Sequence, residues 1–266
     1  MRRLWPALLL LAGCSGGPEV APGGIVSNNP CIDAILAQVA PNDIAAVSSW
    51  SHDPESASAP LGWARARPAL GVTAEEIIAA KPRLLLTGNL ASSGTNGALT
   101  KAGVPMKTFG VPATVADSIA QVQAVAIAVD QTRAGQRLAA DIAAAAKPAS
   151  AAPKRSAIIW QTGGFVAGKG TLQDELLARA GFINASGRYG LQQWDILPLE
   201  TLVRRPPDII FMPTTATGDD ARALAARQRI LRHLEGRTRI VSFPDKLLFC
   251  GGPTIIEAMR VLRSAA

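Results

Sequence analysis

Glu-Glu-Ile-Ile-Ala-Ala-Lys-Pro-Arg-Leu-Leu-Leu, residues 75–86, aligns without gaps on Glu-Thr-Leu-Val-Arg-Arg-Pro-Pro-Asp-Ile-Ile-Phe, residues 200–211. Each stretch holds an acidic residue, an apolar helix turn, a proline that stops the helix and a short apolar run that reads as a buried strand. Helix–proline–strand units are common in α/β proteins. Two of them at matching places in the two halves read as one lobe built twice.

The surroundings of both stretches support that reading. Ile25-Val26 and Ile44 to Val47 are short strands, separated by a helix with Asn29 at its N-cap, Pro30 in its first turn and Ile32, Ile35, Leu36 and Val39 at helical spacing. Thr73 caps the helix that leads to Leu84–Leu86, and a helix near residues 97–102 precedes a strand over Val104–Phe109. In the second half, Ala157–Trp160, Ile209–Met212 and Arg239–Phe243 are strands. Helices are expected over Thr171–Ala180, Leu199–Arg205, Asp219–Leu234 and Pro253–Arg263. Strands alternating with helices predict an α/β fold of two lobes with central, mostly parallel sheets. Between the halves, Thr114 to Ala146 contain no proline and one glycine. They are expected to form one long bridging helix, ~50 Å at 1.5 Å per residue. The predicted division is 25–113 for the N-terminal lobe, 114–146 for the bridge and 147–266 for the C-terminal lobe.

The first residues predict where the protein works. Arg2 and Arg3 form a basic start, Trp5 to Leu11 a short apolar core, and Leu-Ala-Gly-Cys (11–14) a lipoprotein-processing site that puts a diacylglycerol on Cys14. The apolar stretch is too short for a spanning helix, which needs ~20 residues. Residues 1–13 are thus expected to be a signal peptide and 14–24, rich in Gly and Pro, a lipidated tether. The expected location is periplasmic, lipid-anchored to a bacterial membrane. Hydrophobic residues make up 48% of the chain, enough for a real core in each lobe. The net charge of +7 comes without a basic run interleaved with aromatics, which argues against nucleic acid.

These residues together resemble the periplasmic binding proteins for cobalamin and ferric siderophores, the two-lobed receptors of ABC importers whose lobes are bridged by one long helix. The resemblance rests on Ile25-Val-Ser-Asn-Asn-Pro30, the 75–86 unit, the Gly103-Val-Pro105 turn into a strand, the Ala-rich bridge, Gly170 to Gly181 and the 200–211 unit, and spans about residues 25–263. It implies a monomeric protein without covalent cofactor or catalysis. Such a protein captures a corrinoid, heme or ferric chelate (cobalamin first) between its lobes and delivers it to a permease and its ATPase. It further implies that Glu75 and Glu200, one on each lobe, pair with permease arginines. Two carboxylates on opposite lobes fix orientation and speed docking more than they add affinity; both are also ordinary first-turn acids favoured by the helix dipole.

Ligands of α/β folds bind at strand carboxyl ends and helix N-termini. This places Asn28, Asn29, Cys31, Trp50, His52, Asn89, Trp160, Phe165, Phe249 and Cys250 near a common cleft, whose aromatic share suits a large, flat or macrocyclic ligand. His52 is included as a contact for a ligand or a metal. By the family's template Cys31 and Cys250 come from opposite lobes and face each other. Three readings stay open for them: a disulfide, soft ligation of a metal or cofactor, and unpaired thiols.

Two other functions compete. Residues 163–171, Gly-Gly-Phe-Val-Ala-Gly-Lys-Gly-Thr, nearly spell a phosphate-binding loop, but the residue after Lys169 is Gly170 and carries no hydroxyl for a metal. An exported hydrolase would need a nucleophile and a base, for which His52 with Cys31 or a serine is the pairing on offer. No Gly-x-Ser-x-Gly elbow supports it. A ligand-binding lipoprotein serving a partner other than an importer is the remaining alternative.

Overall fold

The computed structural model describes residues 20–88, 93–150, 155–213 and 221–266. Cys14 and Asn89 lie outside these. The first lobe runs β1 (Ile25–Ser27), α1 (Pro30–Val39), β2 (Ile44–Ser48), α2 (Leu61–Arg65), β3 (Ala69–Leu70), α3 (Ala74–Ala79), β4 (Leu84–Gly88), α4 (Ser93–Lys101) and β5 (Met106–Phe109). Its five strands form one parallel sheet in the order β3-β2-β1-β4-β5. Two helices follow, α5 (Val115–Ala128) and α6 (Thr132–Ala145). The second lobe runs β6 (Arg155–Ile159), β7 (Phe165–Ala167), α7 (Leu172–Arg179), β8 (Phe182–Asn184), β9 (Trp194–Ile196), α8 (Leu199–Arg204), β10 (Ile209–Met212), α9 (Ala221–Leu234), β11 (Arg239–Ser242) and α10 (Thr254–Arg263). Its main sheet is parallel, in the order β11-β10-β6-β8, and β7 and β9 form a separate antiparallel ribbon. The two α/β lobes with mostly parallel sheets are those the sequence predicts.

The repeated unit packs the same way twice. In β4, Leu85 faces an outer core with Ile77 of α3, while Leu86 faces the inner core. In β10, Ile210 faces an outer core with Leu202 of α8, while Phe211 faces the inner one. Alternate residues of a strand point to opposite faces, so a continuous apolar run is what a sheet covered on both sides requires. Phe211 sits edge-on between Phe182 and Phe243, with ring centroids 5.5 and 6.0 Å away. The helix starts also follow from sequence. Asn29 accepts hydrogen bonds from the Cys31 and Ile32 N–H groups at 2.8 and 3.3 Å, and Thr73, Thr114 and Thr171 each accept one from the N–H three residues on.

The bridge differs from the expectation of one helix over 114–146. It breaks at Val129-Asp130-Gln131, where Asp130 adopts a left-handed backbone with φ of 58°. Aspartate tolerates that conformation better than most residues, so the helix ends there without a glycine or proline to mark it. The single glycine of the stretch has another use. A Cβ on Gly135 would stand 2.3 Å from the Ala126 Cβ, so the missing side chain lets α6 lie directly against α5. Both helices pack on α1 of the first lobe, and α6 also packs on α10 of the second. The inner core therefore runs unbroken from Ile25 and Leu86 through α1, α5 and α6 to Phe211, Phe243 and α10. Among the described residues, no helix is long and apolar enough to cross a membrane.

Candidate functional site

Both sheets turn the carboxyl ends of their strands toward the gap between the lobes. On the first lobe, the ends of β1, β2, β3 and β4 supply Asn28, Trp50, Val72 and Thr87 to a cavity of about 630 Å³. On the second, the segments after β6, β7 and β11 supply Gln161, Thr171, Gln173 and Phe249 to a cavity of about 400 Å³, with Trp194 of the ribbon as a further wall. Phe249 lines both. Large apolar side chains that folding would normally bury stand open here: Trp50 is 57% exposed, Val111 70%, and Phe165, Trp194, Ile196 and Phe249 are exposed as well. Such a concentration of exposed apolar surface makes this gap the candidate binding site.

Trp50 is exposed but firmly held. Its N–H donates to the Ser48 Oγ at 3.3 Å, and its carbonyl accepts from the Ser56 Oγ at 3.1 Å. The next residue, Ser51, donates to the Asp33 carboxylate at 2.7 Å, and the Ser48 N–H donates to the same oxygen at 2.8 Å. Asp33 is fully buried on α1, and burial pushes its carboxyl up to about 7, against the lowering effect of hydrogen bonds from Ser27, Ser51 and Ser48. On the opposite wall, the β7–β9 pairing sets Phe165 across from Ile196 and Ala167 across from Trp194.

Every polar side chain that lines the two cavities among the described residues is neutral. Among the described residues the lining contains Asn, Gln, Thr and Ser but no charged side chain. Two of these groups, the Asn28 Oδ1 acceptor and the Gln161 Nε2 donor, are buried without a hydrogen-bond partner among the described residues. A buried polar group left unpaired costs about 1–3 kcal/mol, so a ligand that pairs with both recovers that cost.

Of the residues assigned to the cleft from sequence, Asn28, Asn29, Trp50, Phe165, Phe249 and Cys250 line the cavities. Cys31 and Cys250 are joined as a disulfide, Cα to Cα 5.1 Å. With both sulfurs in the bond, neither is a thiolate for a metal, and no nucleophile remains at Cys31 for a hydrolase. Trp160 is corrected: at 3% exposure it is part of the outer core of the second lobe, because its position at the end of β6 points it away from the gap. His52 is corrected too. Its Nε2–H donates to the Ala64 carbonyl at 3.1 Å, turning the ring into its own lobe. Val72, Thr87, Val111, Gln161, Thr171, Gln173 and Trp194 are lining residues that sequence reasoning missed. The phosphate-loop look-alike carries its own anion: the Asp174 carboxylate accepts from the Gly170 N–H at 3.1 Å.

The chain matches the periplasmic binding protein family over residues 25–235. It belongs to that family. No curated protein matches it in sequence. Among solved structures it is similar to the periplasmic heme-binding protein RhuT from Roseiflexus sp. RS-1 in apo form, with 24% identity, a TM-score of 0.70, and 92% of this chain and 99% of that one covered. It is also similar to the periplasmic heme-binding protein HutB of Vibrio cholerae, at 17% identity and a TM-score of 0.72 over 91% of this chain and 98% of that one. An ABC transporter substrate-binding protein from Listeria monocytogenes EGD-e matches at 16% identity and a TM-score of 0.67, over 92% of this chain and 98% of that one. As a periplasmic binding protein the chain is a substrate-binding component that works outside the cytoplasm, and not an enzyme.

Proposed function

We propose that this periplasmic binding protein captures a corrinoid, or another neutral chelate whose metal is already fully coordinated, between its lobes and hands it to the permease of an ABC importer. The observation that carries this reading is the lining: aromatic walls, neutral amides and hydroxyls, and, among the described residues, no His, Tyr, Met or free thiol. Heme iron is held in proteins by His, Tyr, Cys or Met. Each such residue among those described is otherwise engaged. His52 and His233 donate to backbone carbonyls, and Tyr189 donates to the Arg205 carbonyl at 2.6 Å. Cys31 and Cys250 are bonded to each other. Met212 and Met259 are buried in cores, and Met106 packs against the outer core of the first lobe. Among the described residues no cationic side chain lines the cavities to pair with heme propionates or an anionic ferric siderophore, whereas the amides of a corrinoid periphery match Asn28 and Gln161. Heme is the second reading, favoured by the heme-binding proteins among the similar structures.

Titration of the mature protein against cyanocobalamin, heme and ferric siderophores, followed by tryptophan fluorescence and visible absorbance, tests the two readings. Cyanocobalamin is expected to quench Trp50 and Trp194 on saturable binding, and Trp50→Ala to weaken it about tenfold. A shifted heme absorbance band with no response to cyanocobalamin would reverse the assignment.

Glu75 and Glu200 support docking to a permease. Each is exposed in the first turn of a short outer helix, α3 or α8, just beyond a cleft-mouth residue, Val72 or Ile196. Neither is engaged by an ion pair or hydrogen bond among the described residues. Reversing both, E75K with E200K, is expected to abolish uptake in cells while leaving the dissociation constant of the isolated protein unchanged; uptake at the wild-type rate would refute the docking role. The lipid on Cys14 completes the reading. Cys14→Ser is expected to move the protein from the membrane fraction to the soluble fraction, and retention in membranes would contradict a lipid anchor.

A further inference from the structure

We infer that Phe249 is the residue that sets which ligands the cleft admits, and that the Cys31–Cys250 bond is what holds it in place. This rests on the cleft being the ligand site. Phe249 is the residue shared by the linings of the two cavities, and its ring is 56% exposed between them. It therefore divides the gap into two chambers. Each chamber alone falls within the ~300–1,000 Å³ of ordinary small-ligand pockets. A ligand that uses both must be in two parts, a body in one chamber and an appended group in the other, with the phenyl ring between them.

A divider selects only if it stays where it is, and the chain around Phe249 is fixed on every side. Cys250, the next residue, is bonded to Cys31 at the start of α1 on the opposite lobe. The Leu248 carbonyl accepts from the Gln173 amide of α7. The Lys246 carbonyl accepts from the Ser58 Oγ at 3.0 Å, and the Gly252 N–H donates to the Ser118 Oγ of α5 at 2.6 Å. Gly251 passes so close to α5 that a Cβ there would lie 2.7 Å from the Ser118 Oγ and 2.8 Å from the Pro112 ring, and Gly252 has a φ of 71°. The segment is thus tied to both lobes and to the bridge. Of these ties the disulfide is the covalent one, and it is adjacent to the ring.

The test compares the oxidised protein, F249A and C31A/C250A in binding cyanocobalamin and cobinamide, the same macrocycle without its appended nucleotide. Hydrogen exchange is measured in parallel on the three ligand-free proteins. The wild type is expected to prefer cyanocobalamin by about tenfold or more, and F249A to reduce the preference to about threefold or less. C31A/C250A is expected to reduce it as well, and to speed exchange of the Phe249–Gly252 amides by about tenfold or more beyond the acceleration seen in the central strands β1 and β10, which report global opening. A preference that survives in F249A, where the disulfide is intact, overturns the role of Phe249. Exchange at 249–252 in C31A/C250A that rises no more than in β1 and β10 overturns the role of the bond. If the wild type binds neither corrinoid, the proposed ligand fails and takes the selectivity role with it, while the exchange rates still decide whether the disulfide holds the segment.

Discussion

Replacing Cys31 and Cys250 together by alanine is expected to lower the stability of the folded protein by about 5 kcal/mol, measured by urea unfolding under conditions that keep the wild type oxidised. The magnitude follows from loop length. The bond joins residues 219 apart in sequence, and a cross-link removes more entropy from the unfolded chain the longer the loop it closes. Because it closes nearly the whole folded chain, it restrains both lobes and the bridge at once. The single variants should lose as much as the double one, since either change breaks the same bond. Treating the wild type with dithiothreitol should reproduce the loss. A change below about 1 kcal/mol would show that the unfolded chain gains little freedom when the bond is cut.

The second large effect is a pH dependence carried by Asp33. Its carboxyl has an ordinary value of 3.8 in the unfolded chain and about 7 in the fold, because burial penalises the charged form. The sign follows from proton binding. Below about pH 4 the group is protonated in both states and imposes no penalty. Between about pH 4 and 7 the folded chain holds the proton more tightly than the unfolded chain, so stability falls as pH rises; above the folded value it falls no further. At 1.36 kcal/mol per unit, the loss across this window is about 4 kcal/mol. Asp53 and Asp208 run the other way and in a separate window. Hydrogen bonds, from Ser56 to Asp53 and from Ser156 to Asp208, hold both below the usual carboxylate range. Their contributions are present above the unfolded value and are lost only as acid protonates them. Unfolding free energies of wild type and Asp33→Asn at pH 4.5, 6 and 7.5 isolate the effect. The asparagine variant should be nearly flat and the more stable of the two at pH 7.5. Parallel slopes in the two proteins would rule Asp33 out as the source. Because Ser51 donates to Asp33 from the turn that carries Trp50, the same titration should alter how firmly the first lobe's aromatic wall is held.

The residues that were legible in the sequence are those where local chemistry and tertiary packing agree. Leu84–Leu86 and Ile209–Met212 are apolar on both faces and follow a proline stop, and both are central strands. Asn29, Thr73 and Thr171 are good caps, and each caps its helix. The break at Asp130 escaped because nothing in the composition of 114–146 opposes a helix; only the left-handed turn at one aspartate and the close approach at Gly135 reveal it. The ribbon of Phe165–Ala167 and Trp194–Ile196 escaped because its strands are short and its exposed apolar residues carry no alternation. Within the cleft, what the sequence could not show is which way each side chain faces. Trp160 and Gln161 are adjacent, and neighbouring residues at a strand end face opposite ways, so the amide reaches the cavity while the indole packs in the core. His52 sits beside the wall of Trp50, but the Ala64 carbonyl captures its ring, a partner that only the folded α2 supplies.

One consequence follows from the single core that passes through both lobes and the covalent tie at the floor of the gap. A receptor whose halves swing freely spends part of its binding free energy on ordering itself and releases its cargo whenever it reopens. Here the walls are already in position before anything arrives, so association costs little reorganisation, and the lifetime of the complex is governed by escape from a fixed socket. Under the delivery to a permease proposed above, the work of prising the lobes apart, against the disulfide and the shared core, falls to that permease.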